Sequence, residues 1–313
     1  MSRDGYSYDP QEVPDESART SSRRSESRTR DAREEHLQGA DEETVEVSRR
    51  APQPATLKPE RLDSPRAYYD RDRVYLLRES ESHSLTEVGR FRVVAVADLA
   101  KFAYAGDVRR MERDIRRLKE ASLVTDNTIE ISRKKTLRVL TLTKQGHRLL
   151  RKNNLLPDDQ PIYHGLTKPR EAKHDALLYR LYQKEATRIE QTGGRPVRVL
   201  LDYEIKRHLN RELAALVADK ENDTASAKQE IAERHGLAVV DGKVAIPDLR
   251  IEYQTADLET RQVDLDLVTR DYRPRGLAQK VKAGFSLYSP ADDVSRLRRV
   301  LDDRELTAEI LSL

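Results

Sequence analysis

The 313-residue chain has no cysteine and no tryptophan, and only three phenylalanines. Without cysteine there are no disulfides and no thiolate metal sites of the structural zinc kind. No apolar run approaches the length of a membrane span, and the N-terminus lacks the apolar core of a signal peptide. The expectation is a cytoplasmic protein with no membrane partner. Charge of one sign is also nearly absent in excess: 58 basic residues stand against 55 acidic, a net +3. That balance does not argue for nucleic acid, so the clustering of the basic residues must decide. Apolar residues make up 37% and charged residues 36%, so part of the chain cannot bury enough surface to fold. Aromatic packing falls to the 13 tyrosines, beside the aliphatics.

At this length two domains fit. Residues 1–66 are rich in Ser, Arg, Asp and Glu and show no apolar periodicity, which predicts a disordered charged tail. Its arginines (Arg23, Arg24, Arg28, Arg30) are interleaved with acids, as in a solubilising linker. Residues 67–155 form a first unit, 156–171 a linker punctuated by Pro157, Pro161 and Pro169, and 172–313 a second unit. In the first, Ala97–Tyr104 reads as an amphipathic helix and Ala105-Gly106-Asp107 as a turn with Asp107 as N-cap. A second helix runs from Val108 to about Ala121, with Val108, Met111, Ile115 and Leu118 inward. A hairpin over 128–142 and a helix over 143–152 follow. Helix, turn, helix and hairpin in that order is the winged-helix arrangement. In the second unit, helices over 172–190, 205–220, 225–235, 276–288 and 293–311 accompany strands at 197–203, 246–253 and 263–268.

Two groups of residues carry chemistry. The helix after Gly106 holds Arg109, Arg110, Arg113, Arg116 and Arg117, and the hairpin tip adds Arg133, Lys134 and Lys135. In a helix-turn-helix the second helix enters the major groove of double-stranded DNA, while basic residues of the wing meet the backbone. The alternative is a solvated helix laced with pairs such as Glu112–Arg116. The helix–turn–helix–hairpin order and the basic tip favour DNA binding over a protein-docking or dimerising role.

The second group lies on two strands read by alternation. Leu249, Ile251 and Tyr253 share one face and Asp248, Arg250 and Glu252 the other. In the next strand Val263, Leu265 and Leu267 share a face, which leaves Asp264 and Asp266 opposite. Two such strands side by side would bring Asp248, Asp264 and Asp266 onto one surface, where clustered carboxylates suit Mg²⁺. The alternative is a solvated acidic face paired with Arg250, Arg270, Arg273 and Arg275. His174-Asp175 sits near a helix start and has no second histidine cluster, so it reads as a helix-end device and not a metal pair.

Helix, strand, helical insertion, strand with Pro247-Asp248, strand with Asp264-Leu265-Asp266, then helix: this order resembles the PD-(D/E)XK nuclease core. That resemblance makes Asp248 and Asp264 the metal ligands. It leaves Asp266 where the family has its lysine, so Lys280 or Lys282 of the next helix would have to substitute. Glu185 or Glu190 could add a carboxylate. With the winged helix, the chain over about 70–290 resembles the replication-relaxation family of plasmids and conjugative elements. The residues carrying this are His174-Asp175, Pro247-Asp248, Asp264-Leu265-Asp266 and Lys280 to Tyr288; Asp264 stands where that family has Glu. The resemblance implies an α+β protein: a winged helix followed by a small α/β restriction-endonuclease-like domain. It implies action in replication or transfer beside relaxase or replication proteins, with a homodimer as a further expectation. The missing in-strand lysine, and a sheet with no strand read beyond Tyr288, favour a degenerate, non-cleaving domain. An active Mg²⁺-dependent endonuclease and a winged-helix transcriptional regulator stay open.

Overall fold

The structure is a computed structural model that describes residues 64–132, 135–166, 171–218, 224–269, 272–303 and 306–313. The tail expected over 1–66 therefore lies outside the described residues except for its last three. The described residues are mixed α+β, with nine helices and several sheets among them, and all fall in one compact unit.

A hairpin of β1 (Arg66–Asp70) and β2 (Arg73–Leu77) leads into α1 (Glu79–Arg90). There follow β3 (Val94–Ala95), α2 (Val96–Ala103), α3 (Val108–Glu120), β4 (Val124–Ser132), β5 (Lys135–Leu142) and α4 (Lys144–Lys152). The three-stranded sheet runs β3-β5-β4 and is antiparallel throughout. Between α2 and α3, Gly106 takes a φ of +88°, a conformation open to glycine without strain. Asp107 then accepts the Arg110 N–H at 3.0 Å as N-cap. Met111, Ile115 and Leu118 recur at helical spacing and are fully buried.

Gly146 shows how tightly α4 seats. A Cβ there would lie 2.2 Å from the backbone oxygen of Leu123, an atom that cannot swing aside. Alanine normally improves a helix by about 1 kcal/mol over glycine. Here we expect Gly146→Ala to lower stability instead, by about 1–3 kcal/mol in urea unfolding. An unchanged or raised midpoint would show that α4 is free to shift.

The remaining chain comprises α5 (Ala172–Gln191), β6 (Arg195–Leu201), α6 (Asp202–Ala218), α7 (Thr224–Arg234), β7 (Val239–Val240) and β8 (Lys243–Val244). After these come β9 (Leu249–Gln254), β10 (Thr260–Leu267), α8 (Pro274–Lys282), β11 (Ser286–Ser289), α9 (Ala291–Asp302) and β12 (Ile310–Ser312). Their sheet has the order β12-β11-β10-β9-β6. The strands β6, β9 and β10 run antiparallel, while β10, β11 and β12 are parallel, joined by α8 and α9 as crossovers.

Two expected helices are corrected here. The one read over 276–288 ends at Lys282, and Ser286–Ser289 is a strand. Gly284, at φ +78°, closes α8: its N–H reaches the Val281 oxygen at 2.9 Å and the Phe285 N–H reaches that of Lys280 at 3.3 Å. The one read over 293–311 ends at Asp302, and Ile310–Ser312 completes the sheet edge. The sheet thus does have strands beyond those read from the sequence.

The helix α5 is a common wall. One side packs Tyr179 edge-on against Phe91 at 5.2 Å and Phe102 at 6.1 Å. Leu178, Leu181 and Ile189 join one buried cluster that includes Leu85 and Leu99 as well as Leu249, Ile251 and Leu265. Strand edges are sealed by side-chain amides. Asn153 accepts the Tyr69 N–H and donates to the Tyr69 oxygen, both at 3.0 Å. Gln160 does the same for Val199, at 2.9 and 2.8 Å. Each amide offers a donor and an acceptor at the spacing of a peptide group, so it terminates the edge as another strand would.

Candidate functional site

On α3, Arg109, Arg113 and Arg116 are exposed and lie four and seven residues apart, which puts them on one face. None of the three has an ion-pair partner among the described residues. Arg110 is half-buried beside them. Arg117 is exposed as well, but its Nε lies 2.9 Å from Oε1 of the fully buried Glu81. Burial pushes the Glu81 carboxyl up, against the Arg78 N–H and the Arg117 charge. Asp114, which the sequence places among the charges of this helix, is fully buried. Its Oδ2 accepts from Ser80 at 2.7 Å and Tyr104 at 3.0 Å.

Arg138 on β5 bridges the hairpin to α3. It donates to Asp126 at 2.7–3.2 Å and to both oxygens of Glu112, one of them at 3.0 Å. The Arg138 hydrogen bonds hold the Asp126 carboxyl below its usual range against partial burial. Lys135 is exposed at the hairpin end, whereas Arg133 and Lys134 lie outside the described residues.

The register of β9 against β10 decides the fate of the carboxylates. Asp264 faces Arg250 and Leu265 faces Leu249, so Asp266 falls beside Asp248 one step further on. Arg250 is 5% exposed and takes both oxygens of Asp264, at 2.6 and 2.8 Å. It also donates to the His235 oxygen at 2.7 Å, tying the end of α7 to the sheet. Asp266 is fully buried. Lys280 approaches its Oδ2 at 2.5 Å and the Ile246 oxygen at 3.0 Å, and Tyr272 donates to its Oδ1 at 3.2 Å. Asp248 Oδ2 lies 3.2 Å from His174 Nε2 and accepts the Leu267 N–H at 3.0 Å. Beyond it, His174 Nδ1 is 3.6 Å from Asp175, and Arg92 reaches both Asp175 at 3.7 Å and Asp202 at 3.5 Å.

Burial and the neighbouring Asp248 push the Asp266 carboxyl up, opposed by Lys280 and Tyr272. Burial acts on Asp248 in the same sense, but His174, Lys280 and the Leu267 N–H outweigh it and hold the carboxyl down. Burial alone would lower His174; its hydrogen bonds to Asp175 and Asp248 prevail, and it is raised to about 10. At neutral pH His174 and Lys280 are therefore both cations, facing Asp248 and Asp266.

A hard dication needs several free oxygens; here Arg250 holds both oxygens of Asp264, while His174 lies against Asp248 and Lys280 against Asp266. Among the described residues no group of three or more His, Asp or Glu could hold a metal ion. The structure thus brings together Asp248, Asp266 and Lys280 of the expected set, and leaves Asp264 in a separate pair. Glu185 is also apart: it is buried, with the Tyr288 hydroxyl at 2.5 Å and Arg188 at 3.0 Å. Glu190 and Lys282 are exposed. Tyr272 was not legible as a member, since nothing in its neighbourhood alternates with the strands. His174 was, though only as a helix-end residue.

No protein-family model matches the chain, and no curated protein matches it. Among the described residues no helix is long and apolar enough to cross a membrane.

Proposed function

We propose that this chain is a double-stranded DNA-binding protein of the replication-relaxation type, a winged helix joined to a nuclease-like domain that does not cleave. The observation that carries this is the exposed face of Arg109, Arg113 and Arg116 without counter-ions among the described residues. In this reading the face enters the major groove, and Lys135 with the hairpin tip lies along the phosphates. The element order from α1 to α4 supports the winged-helix assignment. The succession α5, β6, β9, β10, α8, β11 supports the nuclease-like one, since β11 supplies the strand that the sequence left unread. Action at a replication or transfer origin of a plasmid or mobile element follows from that family reading. The Arg250–Asp264 pair and the neutralised Asp248–Asp266 cluster favour a non-cleaving domain over a Mg²⁺-dependent endonuclease.

Mobility shifts on duplex DNA across a salt series test the proposal. Three engaged arginines should give a slope of log affinity against log salt of about −3 or steeper. Supercoiled plasmid incubated with the protein and Mg²⁺ or Mn²⁺ should stay intact. A duplex left unshifted at low salt would remove the DNA-binding reading, and nicking lost in Asp248→Ala would install the endonuclease instead.

A further inference from the structure

We propose that a second copy of this chain pairs across β2, joining two β1–β2 hairpins into one four-stranded antiparallel sheet about a two-fold axis. Most strand edges among the described residues are closed. Asn153 closes β1 and Gln160 closes β6. Lys184 donates to the Ser312 oxygen of β12 at 2.7 Å. The remaining long edge strand, β4, carries the charges of Asp126 and Glu130. Charged or covered edges resist pairing with another chain. From Val74 to Leu77, β2 carries neither.

The direction of the free groups follows from Asn153. Because Tyr69 gives both its N–H and its oxygen to that side chain, the pair Tyr69–Val74 is a non-hydrogen-bonded one. Val74 and, two residues on, Leu76 therefore aim their backbone groups away from β1, where the described residues offer them no partner. The same stretch shows its side chains to water. Val74 is 57% exposed, Leu76 59% and the cross-strand neighbour Tyr69 55%, while Tyr75 and Leu77 face the core.

An antiparallel copy of β2 centred on Tyr75 satisfies these groups at once. Val74 then faces Leu76 of the second copy, and the two exchange both hydrogen bonds, twice by symmetry. Apolar side chains meet apolar ones on the outer face. One step beyond, Asp72 faces Arg78, so opposite charges meet at both ends. Shifting the register by two residues in either direction sets Asp72 against Leu76 or Val74 against Arg78, which loses the match. The partner is thus a second copy, recognised by strand addition and a self-complementary sequence. This pairing does not depend on DNA binding.

Sedimentation of the whole chain at micromolar concentration should give twice the chain mass. Val74→Lys combined with Leu76→Lys should halve it while circular dichroism shows each chain still folded, since both side chains are exposed. The absence of cysteine allows the register to be read directly. Oxidised mixtures of Val74→Cys and Leu76→Cys chains should cross-link, and neither variant should do so alone, because identical positions lie beyond disulfide reach. A parent of single-chain mass throughout overturns the proposal, as does a dimer that survives both lysines or cross-linking in the single variants. So does a parent whose Val74 and Leu76 amides gain exchange protection only with duplex DNA, which would assign this edge to nucleic acid.

Discussion

Replacing Arg109, Arg113 and Arg116 together with alanine is expected to abolish salt-sensitive DNA binding while the protein stays folded. Each arginine that meets a phosphate contributes about one unit to the slope of log affinity against log salt. The triple variant should therefore lose about three units, and about a hundredfold or more in affinity near physiological salt. Its stability should stay within about 0.5 kcal/mol of the parent, because the three side chains are exposed and alanine is a good helix former. Arg117→Ala provides the contrast. It should leave the salt slope alone and lower stability by about 1–3 kcal/mol, since buried Glu81 loses its charged partner. A triple variant that keeps its slope, or an Arg117→Ala variant that loses as much, would mean that this face is not the one that meets DNA.

Lys280→Met should be the most destabilising single change in the acidic cluster, by about 3–5 kcal/mol near neutral pH. It strips the cation from a fully buried carboxylate that already sits beside Asp248. The sign of its pH dependence follows from the direction of the shift. Burial and Asp248 raise the Asp266 carboxyl even with Lys280 present, and removing the lysine raises it further. An acid raised in the folded state binds its proton more tightly there, so stability falls as pH climbs from the unfolded value through the folded one. The deficit should be large at about pH 8 and shrink towards about pH 5. Adding Asp266→Asn should recover part of it. Urea midpoints at the two pH values decide, and an equal loss at both would show that Asp266 does not depend on Lys280 for its charge.

Much of this architecture is visible in the residue pattern, because it rests on periodicity. Met111, Ile115 and Leu118 mark α3, and alternation correctly sets Asp248, Arg250, Asp264 and Asp266 on one face. Val108, expected inward, is 53% exposed as the first residue of its helix. What alternation cannot supply is register. Whether Asp264 meets Asp248 or Arg250 depends on a two-residue shift in register, which leaves every face unchanged and so leaves no mark on the pattern. Lys280 likewise arrives from a helix whose docking no local rule fixes. The strand at Ser286–Ser289 was hidden by its brevity, although Gly284 was a readable stop signal for α8. The helix α1 is hard to read for another reason. Its serines look solvent-facing, yet Ser80 and Ser84 are buried because Ser80 donates to Asp114 and Ser84 shares a hydrogen bond with the Tyr104 hydroxyl. Apolarity is a poor guide where polar groups satisfy one another inside.

The position of α5 between the three-stranded and the five-stranded sheet has a thermodynamic consequence. Tyr179, Leu181 and Ile189 belong to the same packed body as the strands of both halves. A ligand held by α3 would then protect β9 and β10 as well, because a ligand that binds only the folded form raises the work of opening everything that must unfold with its site. Occupancy at one end of the molecule would be recorded as slower amide exchange at the other, with no movement of the backbone in between.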